Sequence, residues 1–379
     1  MASETTSKRA DCVLVLQGGG ALGSYQAGVV EALAESGFEP DWVAGISIGA
    51  INSALIAGNP PERRLERLQT FWERVTSGLQ VQAWWPNDAA HAAFNEWSAA
   101  WGTVTGAPGF FSHWLPPRAL YPAGVPGPNS YYDTSPLRET LLELVDFDRI
   151  NDRKTRFSVG AVNVETGNMT WFDNHGKESI TPEHVMASGA LPPGFPAVKI
   201  GDGYYWDGGL VSNTPLHRVL DDCEANELTI YQVDLFPARG PLPGTLAAVA
   251  ERDKDIRYSS RTRRTTDAEK RILDLKAAFR RLHKKLPPEL HDDPDVALLG
   301  QSSKELSVAI MQLIYARKPY EGSAKDYEFS RATMLEHWAA GAQDARRGLT
   351  APGWLNLKRK QGIVTFDPTH DRDKDTTKD

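Results

Sequence analysis

A three-layer α/β fold with a mainly parallel central sheet, followed by a mostly helical C-terminal extension, is the architecture predicted by this sequence of 379 residues. Three observations carry the prediction. The first sixty or so residues alternate short β-branched apolar runs with glycine turns and apolar helices, the pattern of parallel strands joined by crossover helices. Those runs are continuous rather than alternating, so the strands are expected to be covered on both faces. Beyond about Gly240 the texture turns basic and helical, with Ile272, Leu275, Phe279, Leu282 and Leu286 recurring at spacings of three and four.

Residues 1–10 are polar and read as a flexible N-terminus, Cys12–Leu16 as a buried strand, and Gly18 to Gly23 as a glycine-rich turn. Ser24 to Glu35 has helical periodicity through Tyr25, Val29 and Leu33 and stops at Ser36-Gly37. Trp42 to Ile46 is a second buried strand, followed by the turn Gly45-Ile46-Ser47-Ile48-Gly49 and an apolar helix to about Ala57. Pro61 to Val75 predicts an amphipathic helix. From Trp84 to Tyr132, Pro, Gly and aromatic residues crowd an insertion of little periodicity that holds Trp84, Trp85, Trp97, Trp101 and Trp114 with Phe94, Phe110 and Phe111. It reads either as a lid or acyl-chain groove that touches lipid, or as a loop-rich subdomain packing its own aromatics. A helix opens at Thr134-Ser135-Pro136, where Pro suits the first turn. Strands are expected near Phe157–Val164 and Met169–Phe172, a short helix from Thr181-Pro182-Glu183, and a strand at Leu228–Leu235. Tyr204–Trp206 leads directly into Asp207-Gly208-Gly209. The chain thus divides into a domain over 11–240 with the insertion at 84–132, an accessory, mainly helical region over 241–367, and a disordered tail over 368–379.

With 41% hydrophobic and 24% charged residues and a net charge of −7, the composition is that of a globular chain and not of a disordered one. An acidic chain without a recognised binding motif also argues against nucleic acid as a partner. The charge is uneven: residues 251–290 hold 13 Lys and Arg against 7 Asp and Glu, a net of +6 that leaves −13 for the rest. That basic helix has two readings, docking on anionic lipid headgroups or burying its apolar face on the domain with its charges solvated. Cys12 and Cys223 lie far apart outside any C-x-x-C spacing, so they give neither a metal site nor a disulfide framework and suit a reducing compartment. Lys8 and Arg9 precede only Val13 to Leu16 before the glycines begin, too short for a signal peptide. The longest apolar stretch, Val43 to Ala57, is broken by Ser47, Asn52 and Ser53 and falls short of the roughly 20 residues a bilayer needs. The expectation is a cytoplasmic protein with, at most, peripheral contact to an anionic membrane. The pattern sets no oligomeric state.

Gly18 to Gly23 satisfies G-x-G-x-x-G after a strand, but dinucleotide binding needs an acidic side chain at the far end of the second strand. Glu39 and Asp41 precede that strand, and its far end carries Gly45-Ile46-Ser47-Ile48-Gly49 instead. Gly-x-Ser-x-Gly between a strand and a helix is a nucleophile elbow. Its tight turn lifts the Ser47 hydroxyl out of the sheet, and the helix beginning at Ile48 aims its positive end at developing negative charge. A serine hydroxyl needs a base. His217, His283, His291, His337 and His370 stand in no motif, whereas Asp207 is followed by two glycines that let it approach another loop. Alone, Asp-Gly reads as a plain turn.

Taken together, Gly18–Gly23, Gly45–Gly49 and Asp207-Gly208-Gly209, in this order, resemble the patatin-like phospholipase family. The flanks Ala187-Ser188-Gly189-Ala190-Leu191-Pro192-Pro193-Gly194-Phe195-Pro196 and Leu210-Val211-Ser212-Asn213-Thr214-Pro215 agree, and the resemblance covers about residues 11–236. It implies a patatin-like hydrolase with a Ser–Asp dyad, Ser47 as nucleophile and Asp207 as proton acceptor, without histidine. The backbone N–H groups of Gly18, Gly19 and Gly20 would form the oxyanion hole, with Gly23, Gly45, Gly49, Gly208 and Gly209 supporting the turns. No metal or cofactor is implied, and the substrate would be a lipid or other acyl ester. One departure is Leu22, where many members carry Arg or Lys. A short-chain or hydroxyalkanoate esterase and a non-catalytic lipid-binding protein are the alternatives. A carboxylate of ordinary pKa is a weak base, so the dyad also predicts that burial beside Trp206 raises that of Asp207.

Overall fold

The computed structural model describes residues 10–81, 85–116, 129–291, 293–301, 306–357 and 362–368. The flexible N-terminus expected over 1–10, Trp84 and His370 fall outside these residues, as does all but Pro368 of the expected tail. Strand β1 (Asp11–Leu16) runs through the glycine turn into α1 (Gly23–Glu35), and β2 (Trp42–Gly45) runs through Ile46-Ser47 into α2 (Ile48–Ala57). Next come α3 (Pro61–Val75), α4 (Asp88–Thr105), the short pair β3 (Ser112–His113) and β4 (Tyr132–Asp133), α5 (Ser135–Leu144) and α6 (Phe147–Asn151). The middle of the chain supplies β5 (Arg156–Asn163), β6 (Met169–Asp173), α7 (Pro182–Ser188), β7 (Val198–Ile200), β8 (Gly203–Asp207), α8 (Leu216–Asp222) and β9 (Glu227–Asp234). The last part holds α9 (Leu246–His283), α10 (Pro294–Gln301), β10 (Ser307–Ile314), α11 (Arg331–Thr350), α12 (Pro352–Leu355) and β11 (Gly362–Phe366).

The main sheet has nine strands in the order β11-β10-β9-β1-β2-β5-β8-β7, with β6 also paired to β5. Every pairing from β11 to β5 is parallel, and β6, β7 and β8 pair antiparallel. Strand alternation sorts the apolar side chains into two cores. Leu14 and Leu16 of β1 join residues of α1, α2, α3 and α11 on one face, while Val13 and Val15 join Leu216, Val219 and Leu220 of α8 on the other. Each such side chain contributes about 1.5–3 kcal/mol on full burial, and both faces of β1 gain it. This is the three-layer arrangement expected from the continuous apolar runs.

Three regions differ from expectation. The insertion contains an 18-residue helix, α4, whose N-terminus is capped by Asn87 Oδ1 accepting from the Ala90 N–H at 2.9 Å. Its Phe94, Trp97 and Trp101 form a stripe at spacings of three and four, a helical signal hidden by the surrounding Pro and Gly. The region after residue 240 is mainly helical but not a separate layer, because β10 pairs with β9 along Ser307–Ile314 and β11 extends the same sheet. The change near residue 240 is therefore one of composition, not an edge of the fold. Finally, α9 buries its apolar stripe only in part: Ile272, Leu275 and Leu282 are exposed and Phe279 and, past the helix end, Leu286 half-buried, while Ala277 on the opposite side is buried.

Candidate active site

Ser47 sits where β2 turns into α2, with φ 55° and ψ −123°, a left-handed conformation that costs a non-glycine residue about 1–3 kcal/mol. The neighbourhood holds it there. A side chain at Gly45 would strike the Gly49 carbonyl, and one at Gly49 would strike that of Leu16, so glycine is required at both flanks. The Ser47 N–H donates to the carbonyl and the hydroxyl oxygen of Ser188, at 3.1 and 3.0 Å, and the Ser188 hydroxyl donates onward to the Gly160 carbonyl at 2.7 Å. This support from the end of α7 had no sequence signal beyond the small residues of Ala187-Ser188-Gly189.

Register brings the second residue alongside. Gly45 pairs with Val159, so Ser47, two positions on, comes level with Ala161, and Ala161 is paired with Asp207 at the end of β8. The Asp207 carboxylate accepts from the Gly209 N–H at 2.7 Å, and Ser47 lies close enough for its side chain to influence the carboxyl. Burial pushes the carboxyl up to about 6, against Ser47 and the Gly209 N–H, which pull it down. The expected wall is not Trp206, because adjacent positions of a strand point to opposite faces. Gly208 lets the chain close against the Gly160 carbonyl, and Gly23 lets α1 approach Ile48 and Trp72.

The glycine turn divides in its roles. The Gly18 N–H donates to the Asn213 carbonyl at 3.1 Å, and the Gly18 carbonyl accepts from Asn213 Nδ2 at 3.1 Å. Gly18 is thus a clamp between the turn and the segment after Asp207, and its N–H, expected in an oxyanion hole, is already committed. Gly19 and Gly20 line the cleft, and among the described residues no acceptor takes their N–H groups. Gly20 has φ +54°, and a side chain there would collide with the Asp326 carbonyl. That same carbonyl accepts from the Ala21 N–H at 2.8 Å.

Asp326 lies in the C-terminal region, and this is the contribution the sequence did not disclose. The segment around it is tied to the start of α9 by Lys254 Nζ to Asp326 Oδ1 at 2.7 Å and by buried Lys325, 2.7 Å from Asp255 and 3.3 Å from Glu251. Tyr258, Tyr327 and Phe329 from this part then form one wall of a cavity of about 320 Å³. Phe110, Phe111, Tyr132 and Phe195 continue the lining, Phe110 and Phe111 meeting Phe329, so three of the insertion's aromatics do line the groove. Trp97 and Trp101 stack on each other and stay about half exposed, and Trp85 and Phe94 pack together beside them.

The four described candidate histidines lie elsewhere. His337 pairs with buried Glu321 at 2.8 Å, His217 meets Trp171 edge-on, and His283 stacks on His291; none of the four lines the cavity. Cys12 and Cys223 are not joined in a disulfide. Among the described residues no group of three or more His, Cys, Asp or Glu stands ready to hold a metal, and no helix is long and apolar enough to cross a membrane.

A serine on a strand–helix elbow at the carboxyl edge of a mainly parallel sheet covered on both faces is the arrangement of the three-layer α/β hydrolase class. The family model described as patatin-like phospholipase matches residues 14–220, and one described as patatin phospholipase matches residues 256–361. The chain belongs to the patatin-like phospholipase family. It is similar to a cGAMP-activated phospholipase of Pseudomonas aeruginosa, 35% identical over 99 residues that cover 23% of this chain and 30% of the relative. It is also similar to the lysophospholipase nte1 of Aspergillus terreus, 57% identical over 44 residues, 12% of this chain and 3% of the relative. The chain therefore matches less than a third of the length of either curated relative. Among solved structures it resembles VipD of Legionella pneumophila with a TM-score of 0.40 and 14% identity, over 90% of this chain and 67% of that one.

Proposed function

We propose that the protein hydrolyses lipid acyl esters through a Ser47–Asp207 dyad. The register that sets the elbow serine level with a buried carboxyl raised to about 6 carries the reading, because it supplies a base poised near neutral pH beside the nucleophile. Ser47 Oγ attacks the acyl carbonyl carbon while its proton passes to the Asp207 carboxylate. The carbonyl oxygen becomes an oxyanion held by the Gly19 and Gly20 N–H groups, each donor worth roughly 3 kcal/mol in comparable sites. The carbon–oxygen bond to the alcohol then breaks, and the alcohol leaves with the proton from Asp207. Water attacks the acyl-serine, giving one proton to Asp207 as it does so. The fatty acid departs and that proton returns to Ser47. Ester and water have become acid and alcohol, with the dyad restored.

The aromatic cavity suits an acyl chain, and the half-exposed Trp97 and Trp101 suit the edge of a lipid surface. Peripheral contact with a membrane, a cytoplasmic setting and an accessory role for residues 241–367 belong to the same proposal. A fluorophosphonate probe tests it: labelling of the wild type but not of Ser47→Ala is the expected result, and well-folded protein that takes no label with or without lipid points to a binding module. A panel running from short nitrophenyl esters to long-chain lipids separates a lipid hydrolase from an esterase on short or hydroxyalkanoate esters.

A further inference from the structure

The charges around the cleft bear on which acyl ester enters it, an inference that rests on the hydrolase reading above. None of the described residues lining the cavity is Lys, Arg or His. Its two ionisable side chains of formal charge are both carboxylates, Asp207 and Asp326. The nearby cation, Lys254, is engaged by Asp326 at 2.7 Å, by the Ser323 carbonyl at 2.7 Å and by the face of Tyr327 at 5.2 Å. Leu22, directly behind the glycine turn, is fully buried and brings no charge. The remaining lining is aromatic, aliphatic or uncharged polar, with Thr103 and Asn213 among the last, so the described residues offer an anion beside Ser47 no cation to pair with.

In a glycerophospholipid only two glycerol carbons separate the sn-2 ester oxygen from the phosphate ester. A phosphate would therefore have to sit against the carboxylates whenever that ester reaches Ser47. It would be desolvated without a cationic partner, and its negative charge would hold Asp207 in the protonated form that is useless as a base. We infer that this cleft selects acyl esters that are uncharged around the scissile bond, such as glycerides and simple alkyl esters, over lipids that carry an anionic phosphate beside it.

The test compares two substrates with identical acyl chains, dioleoylglycerol and dioleoyl phosphatidate, at equal mole fraction in micelles of a neutral detergent, by release of oleate. The chain of 379 residues is expected to show a kcat/KM at least tenfold higher for dioleoylglycerol. Equal or faster cleavage of phosphatidate overturns the inference while leaving the dyad standing. Release from neither substrate also overturns it, and fluorophosphonate labelling of Ser47 then shows separately whether the hydrolase reading fails too. Thr103 is exposed on α4 at the cavity rim, and Thr103→Lys places a cation there. This variant is expected to shift the ratio toward phosphatidate by about fivefold. An unchanged ratio in folded Thr103→Lys overturns the electrostatic basis of the selection.

Discussion

Two aspartates flank the same strand and meet opposite fates. Asp173 of β6 is paired with Ser158 of β5, and Asp207 of β8 is paired with Ala161 of β5, three positions further along. Both are buried, at 8% and 2% exposure. Desolvation pushes both carboxyls up, but at Asp173 it is outweighed by hydrogen bonds from Ser158, Arg156 and the His175 N–H and by the charge of Arg156, so that carboxyl falls below its ordinary value. Arg218 approaches the same oxygen at 3.4 Å. At Asp207 no cation answers among the described residues, and the carboxyl stays raised at about 6. Burial alone therefore makes neither a base nor a strut. The partners decide, and the fold places the guanidinium groups at one end of β5 and an alcohol at the other.

The largest break of this contrast is expected from Asp207→Asn, which should lower kcat/KM by about 10³-fold or more with the fold intact, since an amide cannot take the Ser47 proton. Turnover assays alongside circular dichroism check it, and retained turnover would transfer the role of base to another residue. Asp173→Ala should do the reverse. It leaves Arg156 and Arg218 with Asp222 as their remaining carboxylate and is expected to cost about 1.5–3 kcal/mol of stability in urea titrations, with activity per folded molecule preserved.

The two carboxyls also predict opposite pH dependences of stability. The raised carboxyl of Asp207 favours the fold while protonated, so its contribution is full below about pH 4 and lost as pH rises through about 6. A rise of about two units corresponds to about 3 kcal/mol, so Asp207→Asn should stabilise the protein by up to that amount at pH 8 and by little at pH 4. The depressed carboxyl of Asp173 contributes stability above its ordinary range and loses it as pH falls through its lowered value. Activity should rise about tenfold per pH unit below 6 and level off above, as Asp207 ionises. The smallest expected effect is that of Ser188→Ala, a fall of roughly fivefold in kcat with unchanged KM, because the Ser47 N–H loses one acceptor worth about 1 kcal/mol and keeps the Ser188 carbonyl.

Legibility followed the range of the forces involved. Ser47 and its flanking glycines were readable because an elbow is a local backbone demand, met within five residues. Asp207 was readable only through its order relative to two other motifs, since Asp-Gly by itself is a turn. Strand β10, Ser-Val-Ala-Ile-Met-Gln-Leu-Ile, carried a strand signal in its apolar run but was masked by the basic helical texture around it. The commitment of the Gly18 N–H to Asn213 and the placing of the Asp326 carbonyl against Gly20 left no trace in the sequence, because they join positions about 195 and 306 residues apart. The exposure of Ile272, Leu275 and Leu282 was equally hidden, because periodicity shows that a face exists but not what it meets.

The sequence by itself determined the alternation of strand, turn and helix, the two cores that follow from continuous apolar strands, and the strained turn that presents Ser47. These are consequences of steric and hydrophobic preferences acting over a few residues. Only the tertiary structure decided that Asp207 is dry and without a cation while Asp173 is paired, and that a C-terminal carbonyl closes the glycine turn. Desolvation and Coulomb interactions depend on what lies across space, and strand register, not sequence proximity, brings those neighbours together.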